Sequence, residues 1–327
     1  MLQKDLRIIY YGTAHFAVGC LQALIESGFN VVSVVTATDK PAGRGHKLQS
    51  SPVKEYALAQ GLPVLQPHSL KDPLFLQSVR DLNPSIGIVV AFRMMPQELW
   101  TLPPLGTYNI HASLLPQLRG AAPINWALIH GLRQTGVTLF KLQHEIDTGE
   151  IVAQSSVELS TTINFGELYN QLMHLGALLL VQQLEKYLLS GTLCGTPQTE
   201  SSEWLPAPKL NKENTRISWT ASAFEIHNQI RGLSPIPAAW STLKTEGENS
   251  TPVQIIASAL LPVPPAEIDL SQLSVGRAVI FAKRRLAVQT GNGLLELLSL
   301  KPSGKKLLTA TDFINGTMRN HPDILFV

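Results

Sequence analysis

Asn109-Ile110-His111 puts an amide and an imidazole two residues apart. In an extended chain such residues share one face, roughly 6–7 Å from each other along the strand. An amide N–H and an imidazole held there could donate to a developing negative charge or relay a proton. They could equally satisfy one another in a core, because a buried amide or imidazole needs a partner. Asp147-Thr148-Gly149 is the second segment with chemical content. Asp-x-Gly is ordinary turn chemistry, but the triplet also occurs in aspartic proteases, which need two facing carboxylates. This chain has a single Asp-Thr-Gly, so a protease would require a dimer built around it. Residue types alone would allow a metal on His111, His144 and Asp147; none is expected. Gly12-Thr13-Ala14-His15 lacks the Gly-x-Gly-x-x-Gly of a dinucleotide turn and argues against a nicotinamide or flavin enzyme.

The elements that must position these residues come in an ordered series. Leu6–Tyr11 is an apolar, β-rich run, and Ala17–Glu26 follows with Val18, Leu21, Leu24 and Ile25 at helical spacing. Val31–Val35, Ile86–Val90 and Thr107–Ile110 read as further buried strands. Ser51-Pro52 and Asp72-Pro73 each supply a cap and a first-turn proline for a helix. Alternation of this kind predicts a mostly parallel sheet covered on both faces. Such sheets bind ligands beyond the carboxyl ends of their strands, where Asn109 and His111 fall. Gly136–Leu142 and Glu150–Leu159 flank a tight polar segment and read as an antiparallel hairpin added to the sheet. Phe165–Leu189 reads as a long helix, with Leu168, Leu172, Leu175 and Leu179 three and four apart.

Beyond that helix the texture changes. Residues 190–208 are rich in Gly, Thr, Ser and Pro and read as a linker. One helix, Ala221–Arg231, precedes short β-type runs at Val253–Ser258, Ala278–Ala282, Leu286–Thr290 and Leu294–Leu300, which predict a small β-barrel or sandwich. The expected organisation is therefore a catalytic domain over 1–189, a linker over 190–208 and a second domain over 209–327. At 327 residues, two domains are the default. Net charge is +2, unevenly divided: residues 1–205 carry 13 Lys+Arg against 15 Asp+Glu, and residues 206–327 carry 13 against 9. The second part is the one that would favour phosphate. Cys20 and Cys194 make no disulfide or metal framework. The absence of a signal peptide and of any apolar run near the roughly 20 residues of a membrane span predicts a cytoplasmic protein.

Several segments carry a resemblance to a known family. They are Tyr11-Gly12-Thr13-Ala14-His15-Phe16-Ala17, Asp39 through Gly45, Ser51-Pro52-Val53-Lys54, Asn109 through Pro123, and Ile146-Asp147-Thr148-Gly149. In the second half come Ala207-Pro208-Lys209-Leu210 and Gly304-Lys305-Lys306-Leu307. Along nearly its whole length the chain resembles the methionyl-tRNA formyltransferases. The Asn-x-His and Asp-Thr-Gly motifs belong to a wider folate-dependent group, while the basic Pro/Gly loop and the second domain narrow the likeness to the tRNA enzymes. The resemblance implies a Rossmann-like catalytic domain followed by an OB-like barrel. It also implies transfer of a formyl group from 10-formyltetrahydrofolate to the amino group of methionyl initiator tRNA, for translation initiation.

By the same resemblance Asn109, His111 and Asp147 form the catalytic trio. Asn109 and His111 would face the oxyanion, and Asp147 would orient the imidazole. Ser113-Leu114-Leu115-Pro116 resembles the folate-binding turn. Ala91–Pro96 lies where relatives line the pterin pocket, but Phe92-Arg93 stands where many members have Tyr-Gly, and no side-chain role carries over there. Thr36–Ser50 resembles the loop that meets the tRNA acceptor end, with Arg44 its main contact and Lys47 another. Lys209 and Lys212 are expected on phosphates, with Arg231, Arg277, Lys283, Arg284, Arg285, Lys301, Lys305 and Lys306 as further cations of that half. A monomer is expected.

Overall fold

A computed structural model of the chain describes residues 2–42, 47–199, 201–245, 250–319, 321 and 323–327. Two compact units result. Unit 1 holds Met1–Pro123, Gln134–Glu158 and Tyr169–Pro206, and unit 2 holds Ile124–Arg133, Leu159–Leu168 and Ala207–Val327.

Unit 1 begins with β1 (Arg7–Gly12), α1 (His15–Glu26) and β2 (Asn30–Val35). A small hairpin follows, β3 (Lys40–Ala42) and β4 (Lys47–Gln49), then α2 (Pro52–Ala59), β5 (Val64–Leu65), α3 (Pro73–Asp81), β6 (Ile86–Val90), α4 (Gln97–Trp100) and β7 (Thr107–His111). Unit 1 resumes with β8 (Gln134–Lys141) and β9 (Ile151–Glu158) and takes α6 (Phe165–Ser190) from Tyr169 on; the intervening α5 (Pro123–Ile129) belongs to unit 2 from Ile124. The sheet order is β5-β2-β1-β6-β7-β8-β9. Pairings from β5 to β7 are parallel, and β8 and β9 join antiparallel. The chain moves outward from β1 through β2 to β5, then returns to β6 on the other side of β1. That reversal leaves a crevice beyond the carboxyl ends of β1, β6 and β7.

Local chemistry explains the elements. Ser51 accepts a hydrogen bond from the Lys54 amide, and Asp72 one from the Leu74 amide, each with proline in the first turn. All five residues of β6 are buried, as a strand covered on both faces requires. Phe16, Ala17, Cys20, Leu21 and Leu24 form the buried stripe of α1, and burial pushes the Cys20 thiol up to about 12. On α6, a Cβ at Gly176 would come within 3.0 Å of Ile110 Cγ2, so the missing side chain lets that helix lie close on β7.

The Thr36–Ser50 segment is anchored at its base. Lys54 Nζ meets Asp39 Oδ2 at 2.6 Å and holds that carboxyl below its usual range, while Gln66 Nε2 donates to Asp39 Oδ1 and to the Ala37 carbonyl. Arg44 lies outside the described residues. Lys47 lies in β4, with its side chain also outside them.

Unit 2 is an antiparallel β structure with one principal helix, α7 (Ala223–Leu233), started by a Ser222–Glu225 capping box. Its strands are β10 (Ala239–Thr245), β11 (Thr251–Leu260), β12 (Ala278–Phe281), β13 (Arg285–Gln289), β14 (Leu294–Pro302), β15 (Leu308–Thr309) and, after the short α8 (Ala310–Phe313), β16 (Ile324–Phe326). They order as β12-β13-β14-β11-β10-β16, with β15 on β14. The core gathers Trp219, Ile226, Ile230, Leu286, Leu297, Phe313 and Phe326. Arg231, expected among the available cations, is not one of them. It is 7% exposed, and its guanidinium donates to Asn228 Oδ1 and to the Ser160 and Ile163 carbonyls. Arg277 is paired with Asp323 and Arg285 with Glu296. Among the described residues no helix is long and apolar enough to cross a membrane.

Candidate active site

Strand β7 carries Asn109 and His111 to the carboxyl edge of the sheet. Asn109 lies opposite Val89 on one neighbour and Phe140 on the other, and His111 opposite Thr138. Asn109 is partly exposed, whereas His111 is 6% exposed with its ring edge-on to Phe140 at 6.4 Å. His111 Nε2 lies 2.9 Å from the Leu118 carbonyl. A carbonyl can only accept, so Nε2 carries the hydrogen and donates it there. The other nitrogen, Nδ1, lies 3.9 Å from Asp147 Oδ2. That gap is longer than a hydrogen bond, and contacts of this kind commonly tighten when substrate binds.

Asp147 comes from the connection between β8 and β9, thirty-six positions along the chain from His111. Its backbone is left-handed, φ +56°, a conformation aspartate tolerates better than most residues. Gly120 N–H donates to Asp147 Oδ2 at 3.0 Å, holding the same carboxylate oxygen that faces the imidazole. The arrangement gives a partly exposed amide, an imidazole with one nitrogen spent on the backbone, and a carboxylate facing the other nitrogen. Such a set can stabilise an oxyanion through the amide and pass a proton through the ring.

Residues 113–118 form the neighbouring turn. Ser113 is fully buried and its hydroxyl donates to the Gln117 carbonyl at 2.6 Å. Leu115 is 3% exposed, while Leu114 and Pro116 are half-buried. Ser113 and Leu115 therefore shape the turn from inside, and Leu114, Pro116 and the backbone are the groups open to a ligand. Thr138 holds the turn from β8. Its hydroxyl donates to the Ser113 carbonyl at 2.7 Å and accepts from the Leu115 amide at 3.1 Å and from Gln154 Nε2 at 2.9 Å. Thr138→Val keeps the shape but strands a buried amide and a carbonyl. It should lower unfolding free energy by about 1–3 kcal/mol in chemical denaturation. An unchanged midpoint would mean that the turn is held by other contacts.

The Ala91–Pro96 segment starts with Ala91 at φ +47°, directly after β6. Phe92 packs on Tyr11 with centroids 5.7 Å apart, and Arg93 donates to the Pro67 and His68 carbonyls. The departure noted in the sequence is thus an inward aromatic plus an arginine bound to a neighbouring loop. Lys209 and Lys212 are exposed in unit 2, with Lys212 Nζ 5.5 Å from the Trp240 ring centroid. Among the described residues, no group of three or more His, Cys, Asp or Glu is placed to hold a metal.

Residues that the sequence reading did not single out also enter the site. Gly120 and Leu118 do so through a backbone N–H and a carbonyl, which leave no signature in a sequence, and Thr138 and Gln154 through side chains whose partners in the turn are distant along the chain. Gln198 does so from the segment that composition reads as a linker. Its amide donates to the Asp147 carbonyl at 2.9 Å and the Gly149 carbonyl at 2.8 Å.

Comparison with known proteins bears on what such a site belongs to. The formyl transferase family matches residues 6–184, and the formyl transferase C-terminal domain matches 209–318. The methionyl-tRNA formyltransferase of Bacteroides fragilis is 47% identical over 97% of this chain and 96% of its own length. That of Flavobacterium johnsoniae is 45% identical over 96% of both. Among solved structures, WlaRD, a sugar 3N-formyl transferase, superposes with a TM-score of 0.63 over 92% of this chain and 99% of that one. At 17% identity it speaks for the fold alone. The fold is thus shared with enzymes of other acceptors, but the sequence likeness runs end to end through one set of relatives, and on that footing the chain belongs to the methionyl-tRNA formyltransferase family.

Proposed function

We infer that Asn109, His111 and Asp147 carry out the family's reaction here, moving the formyl group of 10-formyltetrahydrofolate to the α-amino group of methionyl initiator tRNA. The observation that carries this assignment is the approach of Asp147 to His111 Nδ1 at the end of the strand that presents Asn109. The neutral amine attacks the formyl carbon, and a tetrahedral centre with an oxyanion forms. Asn109 donates its amide N–H to that oxygen. When the carbon–nitrogen bond to the carrier breaks, the carrier nitrogen takes up a proton and the new amide nitrogen gives one up. The His111–Asp147 pair, or a water held by it, relays that proton. No covalent enzyme intermediate is required.

Leu114, Pro116 and the backbone of residues 113–118 hold the folate co-substrate, with Ser113 and Leu115 supporting the turn beneath them. The antiparallel strands of unit 2 form an OB-like barrel. In support, an isolated bridge between Arg277 and Leu325 joins the β12 end of the strand order to β16 at the other end. Barrels of that kind commonly hold nucleic acid. Arg44, Lys47, Lys209 and Lys212 are the tRNA contacts of this reading. The chain divides into a catalytic domain over 1–189, a connection over 190–208 and the barrel over 209–327. A single chain carries both the trio and the basic half, so a monomeric cytoplasmic enzyme suffices.

Purified protein given 10-formyltetrahydrofolate and charged initiator tRNA should yield formylmethionyl-tRNA, detected by mass after hydrolysis of the ester. Formylation of a sugar amine or glycinamide ribonucleotide instead would overturn the acceptor assignment. Affinity for the charged tRNA should fall steeply with salt, and Lys209→Ala and Lys212→Ala should each reduce the log–log salt slope by about 1. Salt-insensitive binding counts against phosphate contacts at these lysines.

A further inference from the structure

The segment between α6 and residue 206 is tied down inside unit 1. Thr196 and Ile151 exchange both backbone hydrogen bonds at 2.8 Å, seating the segment beside the start of β9. Nine residues on, Leu205 receives the Leu118 amide at 2.8 Å and donates its own amide to Gln117 Oε1 at 2.9 Å. Between these anchors sits Gln198, every polar atom of whose amide is used. Nε2 donates to the carbonyls of Asp147 and Gly149, while Oε1 accepts from Arg119 Nε at 3.1 Å and Arg119 Nη2 at 2.7 Å. The amide's orientation follows from its partners, because carbonyls only accept and a guanidinium only donates.

The contacts close a ring. Arg119 holds Gln198, Gln198 holds the Asp147 backbone, the Asp147 carboxylate accepts from Gly120, and Gly120 follows Arg119 in the chain. His111 joins the same loop through the Leu118 carbonyl. Asp147 itself is in a left-handed conformation that its neighbours must over-determine, and two carbonyls of its turn converge on one side-chain amide.

We propose that Gln198 is a positioning residue: it fixes the Asp147 turn so that the carboxylate faces His111, and it acts on the reaction only through Asp147. The proposal rests on Asp147 belonging to the catalytic trio. Glutamate at 198 would keep the shape and the Arg119 contact but present oxygen to two carbonyls, so it should unseat the turn as alanine does.

The test uses the full chain with 10-formyltetrahydrofolate and charged initiator tRNA, comparing Gln198→Ala, Gln198→Glu, Asp147→Ala and the doubles. Expected is a roughly ten- to hundredfold fall in kcat for each Gln198 variant, the scale of a small misplacement of a catalytic group. KM for both substrates should stay within about twofold. In the Asp147→Ala background the Gln198 changes should cost less than about twofold further, because a residue acting through Asp147 has nothing left to act on. Wild-type kcat in both folded Gln198 variants, an effect confined to KM, or a full multiplicative loss on top of Asp147→Ala would each overturn the proposal. So would failure of both Gln198 variants to fold, which would assign the residue to the scaffold. If Asp147→Ala turns over normally, the catalytic assignment itself falls, an outcome distinct from a silent Gln198 beside a crippled Asp147 variant.

Discussion

His111→Ala and Asp147→Ala should each lower turnover at least about a hundredfold, with KM for either substrate changed far less. The scale is that of losing a positioned group that relays a proton in the transition state. It applies because the two side chains are only 7% and 13% exposed, so water cannot replace them at full strength. The loss belongs in kcat because the proton they relay moves only beyond the ground state. Each substitution also frees a backbone group, the Leu118 carbonyl or the Gly120 amide, and a stability cost of about 1–3 kcal/mol accompanies it. Folding must therefore be checked by circular dichroism before rates are compared. The double variant should be little worse than either single one, since groups that act as a unit do not lose independently. Near-normal turnover in both folded single variants would remove these roles.

How much of this could be read before folding depends on the range of the interaction. Helix starts at Ser51-Pro52 and Asp72-Pro73 are local chemistry, and they stand where the residues put them. The buried run of β6 and the antiparallel pair β8–β9 were equally legible, because burial and period are written along the strand. Asn109 and His111 were legible as a same-face pair for that reason. Asp147 was not: its triplet says only turn, and the resemblance alone tied it to His111. Strand β10 was missed because its buried positions are Ala239, Ser241 and Leu243, and only the last is a large apolar residue. Arg231 reads as a surface cation but is spent on carbonyls inside unit 2. Gln198 was hidden most fully. Glycine, threonine, serine and proline around it describe a flexible connection, and nothing in them says that two carbonyls elsewhere converge on this amide.

Gly149→Ala should damage both stability and turnover, and the reason differs from the one the motif suggests. Glycine two residues after aspartate is usually explained by a left-handed turn, yet here Asp147 takes the positive φ and that of Gly149 lies outside the left-handed region. What requires glycine is the approach of another strand. A Cβ at 149 would lie 1.6 Å from the Lys141 carbonyl oxygen and 3.1 Å from Phe140 Cδ2. The oxygen belongs to backbone, in the last residue of β8, and cannot rotate away. The hairpin must open there, straining the bond from the Lys141 amide to the Glu150 carbonyl at 3.0 Å. Overpacking of this kind costs about 1–3 kcal/mol, measurable as a lower midpoint in thermal or chemical unfolding. Displacement of the Gly149 carbonyl also disturbs its bond from Gln198, so the shift reaches Asp147 two residues away. A fall in kcat of about a hundredfold follows if the carboxylate moves by roughly 1 Å. A folded Gly149→Ala enzyme with the parent's midpoint and turnover would show that the hairpin yields without moving Asp147. The Asp-Thr-Gly triplet would then be a turn that happens to lie near the site, and not the part of the strand pairing that aims the carboxylate.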